Sequence, residues 1–199
     1  EAAMPVMEGK ALIFKQFGGV DAVPLCVDLH TTPELVAFIK AIAPSFAGIN
    51  LEDIASPLCI EVEDRLQDIG IPVFHDDQHG TAIVVSAALM NCAKVVGKKY
   101  EDLKVVISGA GSAGLAIAQM LLCIDRRDGV LVQLEGKRVA DVIILDSKGI
   151  ITDNSGEWKS KFATLTNKEK KKGDLASALA GADAFIGVSK GGIMTSDMV

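Results

Sequence analysis

Lys104-Val105-Val106-Ile107-Ser108-Gly109-Ala110-Gly111-Ser112-Ala113-Gly114 is the stretch that decides the fold. A β-branched run feeds a glycine-rich turn, and Leu115 to Cys123 follows with helical apolar spacing. A second apolar run, Asp141-Val142-Ile143-Ile144-Leu145-Asp146, ends on a carboxylate. Strand, glycine turn, helix and strand in this order open a dinucleotide-binding unit. Each glycine has its own task. Gly109 permits the tight turn, Gly111 lets a pyrophosphate approach the backbone, and Gly114 lets the helix pack on the strand. The first helical amides and the positive end of the helix dipole then face the phosphates. Gly109, Ala110, Gly111, Ser112, Ala113 and Gly114 are therefore the candidate cofactor-binding residues, with Asp146 as the candidate partner of the adenosine ribose. A tight turn of this kind also occurs as a plain packing device, but its place between strand and helix favours the binding reading.

Asp146 follows the glycines at a longer interval than the usual spacing of about 20 residues, and the stretch from Asp128 to Lys137 must absorb the excess. The choice between NAD and NADP stays open. A carboxylate at Asp146 repels a 2′-phosphate, whereas Ser147-Lys148 directly after it offers groups that bind one. Further on, Asp174 to Leu179 reads as a helix and Ala184 to Ser189 as a strand, which continues the alternation and favours a parallel sheet. Asp125 to Arg138, and Asn154 to Gly173 with its Lys168-Glu169-Lys170-Lys171-Lys172 run, are polar and read as loops.

Upstream, Pro24 to Leu29 suits a buried strand, and Thr32-Pro33-Glu34 opens a helix through Ile42 that Pro44 closes. A helix from Pro57 through Leu66, a strand at Ile71 to Phe74, and a helix from Thr81 to Val96 ended by Gly97 complete the pattern. The last of these is apolar on most faces and is expected to be buried. Two acidic pairs stand in apolar settings, Glu52-Asp53 and Asp76-Asp77. Solvated surface acids are unusual there, so three or four carboxylates are expected to converge on one hard divalent cation, Mg²⁺ or Mn²⁺.

The chain has 199 residues, 49% hydrophobic and 23% charged, enough for a real core in one domain or two. A net charge of -6 without a large basic cluster argues against nucleic acid and anionic membranes, so the expected partner is a small molecule. No apolar run is long enough to span a bilayer. Cys26, Cys59, Cys92 and Cys123 form no CxxC pair and read as reduced core thiols, which suits a reducing, cytoplasmic compartment. The chain begins at Glu1 rather than Met, and it stops where Thr195 or Ser196 reads as a helix cap, so it is expected to be an internal fragment.

Pro5-Val6-Met7-Glu8-Gly9-Lys10, Gly48-Ile49-Asn50-Leu51-Glu52-Asp53, Phe74-His75-Asp76-Asp77-Gln78-His79-Gly80-Thr81-Ala82 and the glycine turn, taken in this order, closely resemble malic enzyme, and its shorter bacterial-type subgroup above all. The resemblance runs from end to end. It implies an α/β chain: residues 80–199 a Rossmann-like, doubly wound parallel sheet that binds NAD(P), and residues 1–79 part of an α/β substrate and metal domain. Carried over by position, it makes Glu52, Asp53 and Asp77 the metal ligands, Asp76 a carboxylate behind them, Lys10 the general base and Thr81 a cofactor contact. An oxygen-only ligand set leaves open positions for a 2-hydroxy acid. A nearby cation favours the uncharged form of an amine, the form that accepts a proton, and Asp76 is placed to orient Lys10 and relay that proton. His75 and His79 read as packing or hydrogen-bonding groups at the site rim rather than as ligands.

The reaction implied is oxidative decarboxylation of L-malate to pyruvate and CO₂. In the family a tyrosine upstream of this region protonates the enolpyruvate; Tyr100 matches no such motif and reads as structural. Residues 1–199 alone are thus expected to turn over weakly or not at all. Ser108, where relatives often carry Asn, and the Asp125 to Lys137 insertion depart from the pattern. Family members are usually homodimers or homotetramers. Two alternatives compete: a non-redox malolactic-type enzyme or oxaloacetate decarboxylase, and a non-catalytic dinucleotide-binding module, against which the complete set of Lys10, Glu52, Asp53, Asp76 and Asp77 speaks.

Overall fold

The computed structural model describes residues 3–127 and 129–199. The chain opens with helix α1 (Ala3–Gly18), on which no residue is buried. Helix α2 (Thr32–Ile42) begins with a capping box between Thr31 and Glu34 and a proline in its first turn. Strand β1 (Ile49–Leu51), helix α3 (Leu58–Asp64) and strand β2 (Val73–His75) follow, and β1 pairs with β2 in parallel. A small core of Leu35, Ile39, Leu51, Val62, Leu66 and Val73 holds them together. Pro24 to Leu29, expected as a buried strand, has no regular structure, and Leu25 and Val27 are exposed. Apolar alternation yields a strand only where a neighbour takes its hydrogen bonds, and no described strand lies alongside.

Helix α4 (Asp76–Val95) starts five residues ahead of the expected Thr81, because Asp76 and Asp77 in its first turn suit the positive end of the dipole. Gly97, with φ 69°, stops it as expected. The expectation that α4 is buried fails. Gln78, Ala82, Ser86, Leu89 and Ala93 form one buried stripe, while Ile83, Val84, Met90 and Val95 are exposed.

Strand β3 (Lys104–Ser108) and helix α5 (Ser112–Leu122) follow, then an antiparallel hairpin of β4 (Ile124–Arg127) and β5 (Val130–Gln133). Beyond it come β6 (Asp141–Asp146), β7 (Gly149–Ile150), helices α6 (Glu157–Ala163) and α7 (Leu175–Leu179), and β8 (Ala184–Gly187). The sheet order is β7-β6-β3-β8, parallel except for the edge strand β7. Alternate residues of β3 face opposite layers. Val105 and Ile107 join the core under α4 and α5, and Val106 joins that under α7. This is the doubly wound α/β arrangement expected from the sequence.

Two segments read as loops are structured. Asp125 to Arg138 holds most of the hairpin, in which Val130-Leu131-Val132 supplies strand-forming side chains and Gly129, with φ 74°, supplies the turn. Asn154 to Gly173 holds α6, anchored by Phe162 in the core. Of the four free cysteines, only Cys59 is a core thiol, its pKa pushed up by burial; Cys26 and Cys92 are exposed. Tyr100 packs against the main core, and burial raises its pKa. Thr195 caps a short 3-10 turn at Ser196–Met198. Among the described residues, no helix is long and apolar enough to cross a membrane.

Candidate active site

The parallel register of β1 and β2 explains why the two acidic pairs meet. Leu51 lies opposite His75, so the residues that leave the two strands, Glu52-Asp53 and Asp76-Asp77, emerge side by side at the same sheet end. Carboxylate oxygens of Glu52, Asp53 and Asp77 lie within 4.8 Å of one another, and His75, Asp76 and Asp77 form an overlapping group. Asp53 occupies the left-handed region at φ 55°, a conformation that aspartate tolerates better than most residues. Lys10 reaches in from α1 and ion-pairs with both Glu52 and Asp76. The other oxygen of Asp76, Oδ1, is buried without a hydrogen-bond partner.

An all-oxygen set from three acids, open on one side because Asp53 and Asp77 are exposed, fits a hard divalent cation such as Mg²⁺ or Mn²⁺. His75 is not at the rim. It is fully buried, neither ring nitrogen has a hydrogen-bond partner, and Nε2 lies 4.0 Å from Asp77. Burial lowers its pKa despite the pull of Asp77, Glu63 and Glu52, so the imidazole is neutral near neutrality. His79 stands half-exposed, with Nε2 2.7 Å from Glu63.

Glu63 escaped the sequence reading. It is 3% exposed, accepts the His75 backbone N–H at 3.3 Å and the Gln78 amide at 3.1 Å, and lies 3.8 Å from Arg126. The chain gives no signal for it: α3 carries Glu61, Glu63 and Asp64 close together, and only the folded packing decides which of them is buried.

On the nucleotide side, Gly109 has φ +124° and donates to the Leu145 carbonyl at 2.8 Å; a Cβ there would stand 2.8 Å from the Val188 carbonyl oxygen. A Cβ on Gly114 would stand 1.7 Å from the Gly109 carbonyl oxygen, so helix and turn touch there. Gly111 is exposed with nothing within 4 Å of a Cβ position, which leaves room before the N-terminus of α5. Ala110 is buried, Ser112 and Ala113 are half-buried, and Thr81 sits half-buried in the second turn of α4.

Asp146 ends β6 directly after Leu145, the register partner of Ser108, and so lies beside the glycine turn. Its Oδ2 accepts from Lys159 at 2.6 Å and its Oδ1 from the Lys148 backbone at 2.8 Å. Burial opposes its charge, but those bonds outweigh it and hold the carboxyl below its ordinary pKa. Lys159 was not legible in the sequence, since it lies in the segment read as a loop.

Residues 78–198 match the family model for the NAD-binding domain of malic enzyme. The chain belongs to the malic enzyme family. The NAD-dependent malic enzyme of Geobacillus stearothermophilus is 50% identical over 97% of this chain, which covers 38% of that protein. A bifunctional malic/malolactic enzyme of Bacillus subtilis (strain 168) is 44% identical over the whole chain, which covers 47% of it. The crystal structure of an NAD-dependent malic enzyme from Thermotoga maritima superposes with a TM-score of 0.89 at 43% identity, covering 99% of this chain and 50% of that one. The chain thus spans half or less of these malic enzymes. The match begins at residue 78, inside α4, and that helix runs unbroken across the 79/80 boundary expected between the two domains.

Proposed function

We propose that the intact protein oxidatively decarboxylates L-malate to pyruvate and CO₂, reducing NAD or NADP, with Mg²⁺ or Mn²⁺ held by Glu52, Asp53 and Asp77. The observation that carries this reading is the meeting of those three carboxylates with Lys10 at the end of β1 and β2, where α4 leads into the nucleotide unit. A cation held by Glu52, Asp53 and Asp77 would supply Lewis acidity toward the 2-hydroxy acid, and a dinucleotide held at Gly109 to Gly114 would supply a hydride acceptor. Lys10 Nζ takes the C2 hydroxyl proton, and Asp76, in contact with Nζ, orients it and relays a proton outward from the ammonium so formed. Gly109 to Gly114 and Thr81 receive the dinucleotide phosphates, and Asp146 receives the ribose once Lys159 yields the shared oxygen. The acid that protonates the enolpyruvate lies outside residues 1–199 on this reading. The active form is a homodimer or homotetramer in the reducing cytoplasm, a compartment in keeping with four free cysteines.

A second reading, non-redox malolactic chemistry, draws support from the bifunctional Bacillus relative. The test is the initial rate of reduced-cofactor formation by the intact gene product with L-malate and Mn²⁺, run with NAD and with NADP and repeated with EDTA. Metal-dependent NADH or NADPH with matching pyruvate is expected. Lactate without reduced cofactor replaces the reading with the malolactic one, and no product leaves a nucleotide-binding module.

A further inference from the structure

We propose that Glu63 and Arg126 form a positioning pair that fixes the metal-binding turn and ties it to the β4–β5 hairpin; the inference rests on the metal site proposed above. Glu63 holds the point where β2 becomes α4. Its Oε1 takes the His75 backbone N–H and the His79 ring nitrogen, and its Oε2 takes the Gln78 amide. Those three residues flank Asp76 and Asp77 on both sides, so the buried carboxylate fixes the backbone that aims them. An acid buried to this degree must be matched by charge or by several donors.

The charge comes from the hairpin. Arg126, on β4, places Nη2 3.8 Å from Glu63 and grips the neighbouring Asp64 with Nε at 2.8 and 3.0 Å. Its guanidinium also lies 5.4 Å from the centre of the Trp158 ring on α6, whose other cation neighbour, Lys161, bonds the hairpin turn at the Gly129 carbonyl. A planar fork can serve two carboxylates and one ring face at once, which an ammonium cannot. Through Arg126, the segment that departs from the malic enzyme pattern becomes a brace behind the metal carboxylates. Glu63 is not among the acids that converge at the proposed metal site, so the pair acts through the turn that carries Asp76 and Asp77.

The experiment is Mn²⁺ titration by electron paramagnetic resonance on the intact protein and on the Glu63→Gln and Arg126→Ala variants, with NADH binding followed by fluorescence on the same samples. Residues behind metal ligands are worth about 10- to 100-fold in metal affinity. The expected result is Mn²⁺ binding weakened on that scale in Glu63→Gln and less in Arg126→Ala, an altered Mn²⁺ spectrum, NADH affinity within about twofold of wild type, and partial recovery in Arg126→Lys. Wild-type Mn²⁺ affinity in Glu63→Gln, or equal loss of Mn²⁺ and NADH binding, overturns the inference. A wild-type protein that binds no Mn²⁺ overturns instead the metal site on which it rests.

Discussion

The two halves of the chain are built differently. From β3 onward the two central strands, β3 and β6, are buried along nearly their whole length, with Val106, Ile107, Val142 and Ile144 at 0% exposure between helices on both sides. Up to and including β2 the chain has a two-stranded sheet, a small core, and a first helix whose Leu12, Ile13 and Phe17 are largely exposed. Yet this less enclosed half supplies Lys10, Glu52 and Asp53, and the acids Asp76 and Asp77 sit where it joins the other. The contrast is one of packing: the half from β3 onward shares a large apolar core with α4, and the earlier half, which carries the proposed metal site, combines a small core with polar contacts.

The largest effect expected is at Gly114. Replacement by Ala drives a methyl into the Gly109 carbonyl, a contact that only a backbone shift relieves. Urea unfolding of Gly114→Ala is expected to show a loss of about 3 kcal/mol or more; a stable variant breaks the claim that this half is tightly self-packed. Lys10→Ala asks the opposite question of the other half. Malate oxidation should fall by about 10²- to 10⁴-fold while the folded state and Mn²⁺ binding persist, and unchanged kcat removes Lys10 from the chemistry.

Gly111→Ala sharpens the comparison within the glycine turn. Nothing in the protein meets the added methyl, so unfolding should stay near wild type while NADH affinity drops by about tenfold or more. Equal loss of stability would show that the turn is only a packing device. The smallest effect concerns Asp146. Because its folded pKa lies below the ordinary 3.8, it adds stability that is present above that pH and lost as pH falls through the folded value. Asp146→Asn should flatten this acid limb by less than about 1 kcal/mol, and identical limbs in the two proteins would show that the Lys159 pair does not count.

Legibility followed the same division. β3, α5 and β6 could be read from the chain because each declares itself in adjacent residues: a β-branched run, a glycine turn, an apolar helix. The acids could be read as types, since carboxylates in apolar runs call for partners. Their convergence on one cation could be expected from those settings, but the geometry that achieves it could not, because it depends on the Leu51–His75 register of a sheet whose strands are only three residues long. The resemblance to malic enzyme, not periodicity, singled out Lys10. Glu63 and Arg126 were invisible, being ordinary charges until the hairpin folds back on α3. The buried strand expected at Pro24 to Leu29 failed for a related reason: an apolar run does not reveal whether a partner strand exists.

The most direct test of the account is Mn²⁺ binding to the intact protein and to Asp77→Asn, measured by electron paramagnetic resonance with folding checked by circular dichroism. The expected result is about one Mn²⁺ per chain, displaced by Mg²⁺, and loss of that binding in a folded Asp77→Asn variant. Undiminished Mn²⁺ affinity in Asp77→Asn would contradict it.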